Sequence, residues 1–302
     1  VNPDANWLTV DAGDYVDRAA NGAGCSSKCK FMVTSYAGLK YDVLNIGKQE
    51  AWMGYATLKS LIDTSKTTRI ISANLLDKKT NKPLAKPFAI KKYRNMRIGI
   101  LGLLSEADFP RGSALLDSTS LAIMPYMDAA KKYLPDIERK VDAVVVLAEL
   151  SSGQIDTLIR AYPAIDLVIS TGALRTGETI STIGRTRILG TGSSGYNGHY
   201  VMMDFNPAWG DSIAYVPFQD QLTESYEEKS VWSDKLTAFN ADPTNAVQPS
   251  QSPSITPVNP SGATQTQPAP STGTTQPGHQ LNAQPGSPSG SPQPGHEGHT
   301  HG

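Results

Sequence analysis

The sequence predicts an α/β fold of two stacked mixed β-sheets flanked by helices, followed by an extended or disordered tail. Three observations lead there. Up to Ser170, short β-branched runs alternate with segments of helical period, the rhythm of βαβ units and a largely parallel sheet. After Thr186 the strand-like runs crowd together with Gly- and Asn-containing links, which predicts hairpins. From Pro243 the composition collapses into Pro, Ser, Gly, Gln and Thr, with no aromatic residue to seed a core.

Taken in order, the strand-like runs are Trp7–Asp11, Asp42–Ile46, Arg69–Asn74, Met96–Leu103, Val141–Leu147 and Ile165–Ser170. Several are apolar nearly throughout, as expected of parallel strands covered on both faces. Helical patterns fall between them at Lys30–Lys40, Glu50–Thr64, Ile123–Lys140 and Gly153–Tyr162, and Pro135 should kink or split the third. Thr186–Leu189, His199–Phe205 and Ile213–Phe218 read as the later strands. A last helix is expected over Leu222–Phe239, with Leu222, Tyr226, Trp232, Leu236 and Phe239 on roughly one face. This gives a domain over 1–242 and a low-complexity tail over 243–302.

With a net charge of −1 and 18% charged residues, the 302-residue chain offers no electrostatic case for nucleic acid or an anionic membrane. No apolar run reaches the ~18 residues of a membrane span. Beginning at Val1, the sequence reads as a processed or trimmed product whose export signal, if it had one, is gone. Cys25 and Cys29 are the only cysteines. Their spacing allows a local disulfide, which implies an oxidising compartment, or free thiols, or an irregular haem or metal attachment. Cell-surface, periplasmic or extracellular export is the expectation.

Two apolar runs end abruptly in Gly and polar groups: Leu8-Thr9-Val10-Asp11-Ala12-Gly13-Asp14, and Tyr41-Asp42-Val43-Leu44-Asn45-Ile46-Gly47-Lys48-Gln49-Glu50. A buried parallel strand that delivers side chains into a crevice ends in this way. These residues resemble the second and third signature blocks of the calcineurin-like metallophosphatases, in the branch of the 5′-nucleotidases and UDP-sugar hydrolases. Ile71-Ser72-Ala73-Asn74-Leu75, Arg97–Leu103, Asp142–Leu150 and Ile188–Tyr200 resemble later blocks of that family in the same order. The resemblance implies an αββα sandwich and, in intact members, a two-metal centre whose ions sit ~3.5–4 Å apart to activate water.

Carried over residue by residue, the ligand set is mostly lost. The resemblance puts the bridging carboxylate at Asp14 and keeps the glutamate of the third block as Glu50. It puts Lys48 where the family has an Asn ligand, and Gln49 where it has an acid–base His. The His of the family's L-S-H block falls on Glu149, and its G-H-T-H histidines fall on Gly172 and Leu174. The family's first block, D-x-H, lies upstream of Val1 or is missing. Before the tail the chain holds a single histidine, His199, at a position that is not a ligand in the family.

The expectation is therefore a pseudo-enzyme with no cofactor, acting as a structural or interaction domain. Its alternatives are a single divalent cation held by Asp14 and Glu149, an active phosphoesterase completed by ligands outside this segment, or an accessory subunit of an extracellular redox or filament assembly. In the tail, His296, His299 and His301 could bind a transition metal. The tail is also expected to seat on a protein partner or a second copy of the chain. Lys48 is expected to lie within salt-bridge distance of Asp14 or Glu149, in place of the lost metal charge.

Overall fold

The structure, a computed structural model, describes residues 6–16, 25–93, 96–110, 116–171, 180–190, 197–205, 213–221 and 230–243. A short sheet is built from β1 (Val10–Asp11), β2 (Val43–Asn45) and β3 (Arg69–Ile71), all parallel. The larger, six-stranded sheet also uses β6 (Phe88–Tyr93), β7 (Met96–Leu104), β9 (Ala143–Glu149), β10 (Leu167–Ser170), β11 (Ile180–Ile183) and β12 (Thr186–Gly190). Its order is β11-β12-β10-β9-β7-β6, parallel through its four central strands and antiparallel at both edges. Two smaller sheets complete the set: β4 (Leu75–Asp77) between β5 (Lys82–Pro83) and β8 (Leu121–Ile123), and the hairpin of β13 (Asn197–Phe205) with β14 (Ile213–Gln221).

Side-chain alternation along β9 shows how the layers stack. Val144, Val146 and Ala148 pack with Leu134 and Ile137 of helix α4 (Tyr126–Glu138) and Ile155, Leu158 and Ile159 of α5 (Ser152–Ala161). Val145 and Leu147 point the other way and meet Val43 and Ile71 of the short sheet. In β2, Leu44 turns from Val43 to the outer face, where Leu58 of α3 (Tyr55–Thr64) covers it beside Cys29 of α1 (Ser27–Gly38). Helix, sheet, sheet and helix thus follow from period-2 strands with both faces covered. Two stacked sheets between helices are what the sequence predicts.

Several elements differ in detail. The expected helix Glu50–Thr64 is two helices, α2 (Lys48–Ala51) and α3, because Gly54 between them has φ 82°, a conformation that ends a helix. The helix expected over Ile123–Lys140 begins only after Pro125, and Ile123 belongs to β8. Pro135 does not split it: α4 runs on to Glu138, held by buried Ala129, Ala130, Leu134 and Ile137. The strand expected over Val141–Leu147 is shifted to Ala143–Glu149, which carries Glu149 to the strand end. The last helix is α6 (Ser230–Ala241), and the first part of its expected span lies outside the described residues. The face expected of it is used in part: the Phe239 ring lies 4.5 Å from that of Phe31 in α1, tilted by 30°, and Trp232 covers Gly38, whereas Leu236 is exposed.

Candidate functional site

The C-terminal ends of β1, β2, β7 and β9 meet at one edge of the sandwich, and the polar residues that follow them converge there. The two glycine turns come first. Gly13 (φ 118°) lies against Gly47 so closely that a Cβ on Gly13 would sit 2.8 Å from the Gly47 backbone. A Cβ on Gly47 would sit 2.6 Å from the Asp14 amide nitrogen and Oδ1, and 3.0 Å from Glu149 Oε2. Asp14 itself takes a left-handed backbone at φ 59°, which Asp tolerates better than bulkier residues. Gly47→Ala is therefore expected to push the Asp14 turn away and to cost about 2–3 kcal/mol in urea unfolding, the size of a backbone clash in a packed interior. A loss below about 0.5 kcal/mol would show that the turn yields freely.

Glu50 joins these turns from below. Fully buried, it accepts from the amides of Asp14 and Gly47, each at 2.8 Å, and of Val16 at 3.1 Å. Burial, then the Asp14 charge, pushes its carboxyl up to about 8, against the pull of those three amides. Above it, the Asp14 carboxylate accepts from the Gln49 amide at 2.9 Å, and the Glu149 carboxyl accepts from the Lys48 amide. The Lys48 ammonium lies 3.0 Å from Glu149 Oε1 and 3.7 Å from Asp14 Oδ2. Glu149 is 4% exposed, whereas the Lys48 side chain keeps 33% of its surface. Burial and the neighbouring Asp14 raise the Glu149 carboxyl, and Lys48 pulls it partly back. In turn the carboxylates hold the Lys48 ammonium above its ordinary value in spite of its own burial. Two carboxyls and one ammonium make a neutral group when the carboxyls hold one proton between them.

The structure thus brings Asp14, Lys48, Gln49, Glu50 and Glu149 together. Gly172 and Leu174 lie outside the described residues, as do His296, His299 and His301. Cys25 and Cys29 form a disulfide across the start of α1, with Cys29 buried against Met53. Sequence reasoning missed Asp108, in the turn after β7, whose charge also bears on Lys48; its place just past a parallel strand end was the available signal. It also missed Asn45, which donates to the carbonyls of Ala12 (2.9 Å) and Leu103 (3.1 Å) and so ties the two sheets together directly below the site.

A two-metal centre does not fit these residues. Among the described residues no group of three or more His, Cys, Asp or Glu side chains is placed to hold an ion. The position between Asp14 and Glu149 is taken by an ammonium, which cannot donate a lone pair while protonated. His199 lies in β13, opposite Gln219.

Comparison with known proteins agrees with the fold. No family model matches the chain. A 2′,3′-cyclic-nucleotide 2′-phosphodiesterase/3′-nucleotidase of Salmonella typhimurium is 30% identical over 159 residues, a match covering 47% of this chain and 24% of that protein. Among solved structures, the sulfate thiohydrolase SoxB of Thermus thermophilus superposes with a TM-score of 0.64 at 17% identity, covering 76% of this chain and 42% of that one. A 5′-nucleotidase precursor from Thermus thermophilus gives 0.61 at 20% identity, with 78% and 49% covered. The calcineurin-like phosphoesterase YfkN of Bacillus subtilis gives 0.60 at 14% identity, with 76% and 82% covered. The chain thus spans about a quarter of the curated relative and less than half of the first two structures. With its sheet order, its glycine turns and these neighbours taken together, this chain has the calcineurin-like metallophosphatase fold in the form shared with the 5′-nucleotidases.

Proposed function

We propose that this chain is a catalytically degenerate metallophosphatase-fold domain, exported from the cell, that serves as a structural or interaction module. One observation carries this: Lys48 Nζ stands 3.0 Å from Glu149 and 3.7 Å from Asp14, a covalently attached cation among carboxylates where a hydrolase of this fold would need an open Lewis acid. A fixed ammonium balances the carboxylates without offering a site for water or a phosphoryl oxygen. Gln49 adds no proton shuttle, because an amide does not titrate near neutrality. The Lys48 ammonium beside Asp14 and Glu149 supports a reading without a resident cofactor over the alternative of a single divalent cation there.

Export is supported by the Cys25–Cys29 disulfide, since such bonds persist in oxidising compartments. No helix among the described residues is long and apolar enough to cross a membrane. The partner role falls to the segment after Pro243, whose Pro-rich, nearly uncharged composition loses little entropy when it docks on a protein surface.

Elemental analysis and phosphoesterase assays test the proposal together. The full chain, dialysed against Mn²⁺ or Zn²⁺, is expected to retain well under one ion in the body and to leave p-nitrophenyl phosphate and 5′-AMP intact. A companion variant with His296→Ala, His299→Ala and His301→Ala removes ions bound by the tail. Close to two ions per chain in that variant, with turnover, would instead favour an active phosphoesterase.

A further inference from the structure

The net charge of −1 hides an uneven distribution. From Lys78 to Arg97 every charged residue is a Lys or an Arg, and the next acid is Glu106. This stretch includes β6, an outermost strand of the six-stranded sheet. The register shows which backbone groups that edge offers. The Gly102 amide donates to the Pro87 carbonyl, so the β6 residues in phase with Pro87, namely Ala89, Lys91 and Tyr93, turn their amides and carbonyls toward β7. Phe88, Ile90 and Lys92 turn theirs the other way, and their backbone groups bond no other element among the described residues.

Cations surround this open edge. Lys92 lies directly opposite Arg97, at a position where facing side chains approach closely and like charges are unfavourable. Arg97 has a 3.9 Å contact with Asp142, whereas Lys92 forms no ion pair among the described residues. Lys86, just before the strand, is exposed, as is Lys132 of α4, which lies over the Tyr133 ring beside Phe88. Neither has an acidic partner among the described residues. Asp42, on the opposite face of the sheet, is taken by Lys91 at 2.6 Å. Lysines on an edge strand repel a second copy of the same edge, and by the same token they attract a strand of opposite sign.

We propose that the open edge of β6 is a docking site for an acidic, extended segment of a partner protein. The segment adds a strand by bonding the backbone groups of Phe88, Ile90 and Lys92, and its carboxylates lie among Lys86, Lys92, Arg97 and Lys132. Unpaired backbone groups at alternate residues call for an extended peptide, and cations without counterions call for acidic side chains. A second copy of this chain is disfavoured as the occupant, because its own edge carries the same charge. The proposal rests on the reading of the chain as an interaction module, and it stands whether or not the Lys48 cluster is catalytic.

Amide-detected NMR of the full chain at low salt tests it, with a capped peptide of about eight alternating Glu and Val residues as the probe. The peptide is expected to shift the β6 amide signals saturably. At saturation it should slow hydrogen exchange of the Phe88, Ile90 and Lys92 amides about tenfold, and change Ala89, Lys91 and Tyr93, already bonded to β7, far less. The same peptide with Lys for Glu should leave the signals in place. Lys92→Glu should weaken the Glu peptide about fivefold and, by facing Arg97, leave the protein at least as stable. No saturable shift in β6 overturns the proposal. So does binding without the alternating protection, which would mark a charged patch that adds no strand. A heparin fragment binding at least as tightly as the peptide would assign the patch to an anionic polysaccharide and overturn it too. Each of these failures leaves the metal and turnover tests of the Lys48 cluster unaffected, because the readout is binding at a separate edge.

Discussion

Glu50→Ala is expected to cost about 3–5 kcal/mol of unfolding free energy. The Glu50 carboxyl accepts from Asp14, Val16 and Gly47 amides, and truncation leaves these buried groups with no acceptor, at about 1–3 kcal/mol each before relaxation. Glu50→Gln should cost less, about 1–2 kcal/mol. A single amide oxygen can still serve the Asp14 and Gly47 amides, which share Oε2, but the amide nitrogen would then face the Val16 N–H as donor against donor. Urea unfolding of both variants near pH 6 checks this. Equal losses for Ala and Gln would show that the hydrogen bonds are not what holds the two glycine turns.

The carboxyl of Glu50 also carries a pH signature. It is raised from the ordinary glutamate value of 4.5 to about 8, so the native state binds a proton through that window that the unfolded chain has already lost. Its contribution is fully present below the unfolded value and is lost as the pH climbs through 8, the opposite of a carboxylate held low by an ion pair.

Lys48→Ala is expected to cost about 1–3 kcal/mol at about pH 8 and under about 1 kcal/mol at about pH 5. Glu149 is nearly buried, which argues for a large loss, whereas a third of the Lys48 side chain is in solvent, which screens the pair and lowers it. The pH dependence follows from the sign of the Glu149 shift. Its carboxyl is already raised, and without Lys48 it rises further, so at acid pH it is neutral in both proteins and little is lost. At alkaline pH the variant must either keep two unpaired carboxylates close together or bind a proton. Stability curves for the two proteins should therefore diverge as pH rises. A constant offset at all pH values would mean that Lys48 contributes packing of its aliphatic stem and not charge. Lys48→Met, which keeps that stem and drops the ammonium, separates the two: it should behave as Lys48→Ala if charge dominates.

The sequence by itself determined the layers and the donor capacity of the residues at the strand ends. Unbroken apolar runs such as Val144–Leu147 can only be strands covered on both faces, and their alternation with amphipathic helical segments dictates helices outside stacked sheets. Lys48 offers no lone pair while protonated, whatever its surroundings, because ligand capacity belongs to the side chain. The short strands β4, β5, β8 and β11 were not legible, since two to four residues carry no periodicity and form only because neighbouring strands offer unpaired amides and carbonyls. Only the tertiary structure decided where the Lys48 ammonium goes. Its place between Asp14 and Glu149 depends on the approach of Gly13 to Gly47, on Glu50 gripping amides from both turns, and on β9 ending at Glu149. These contacts span up to a hundred residues of chain, and no local pattern records them.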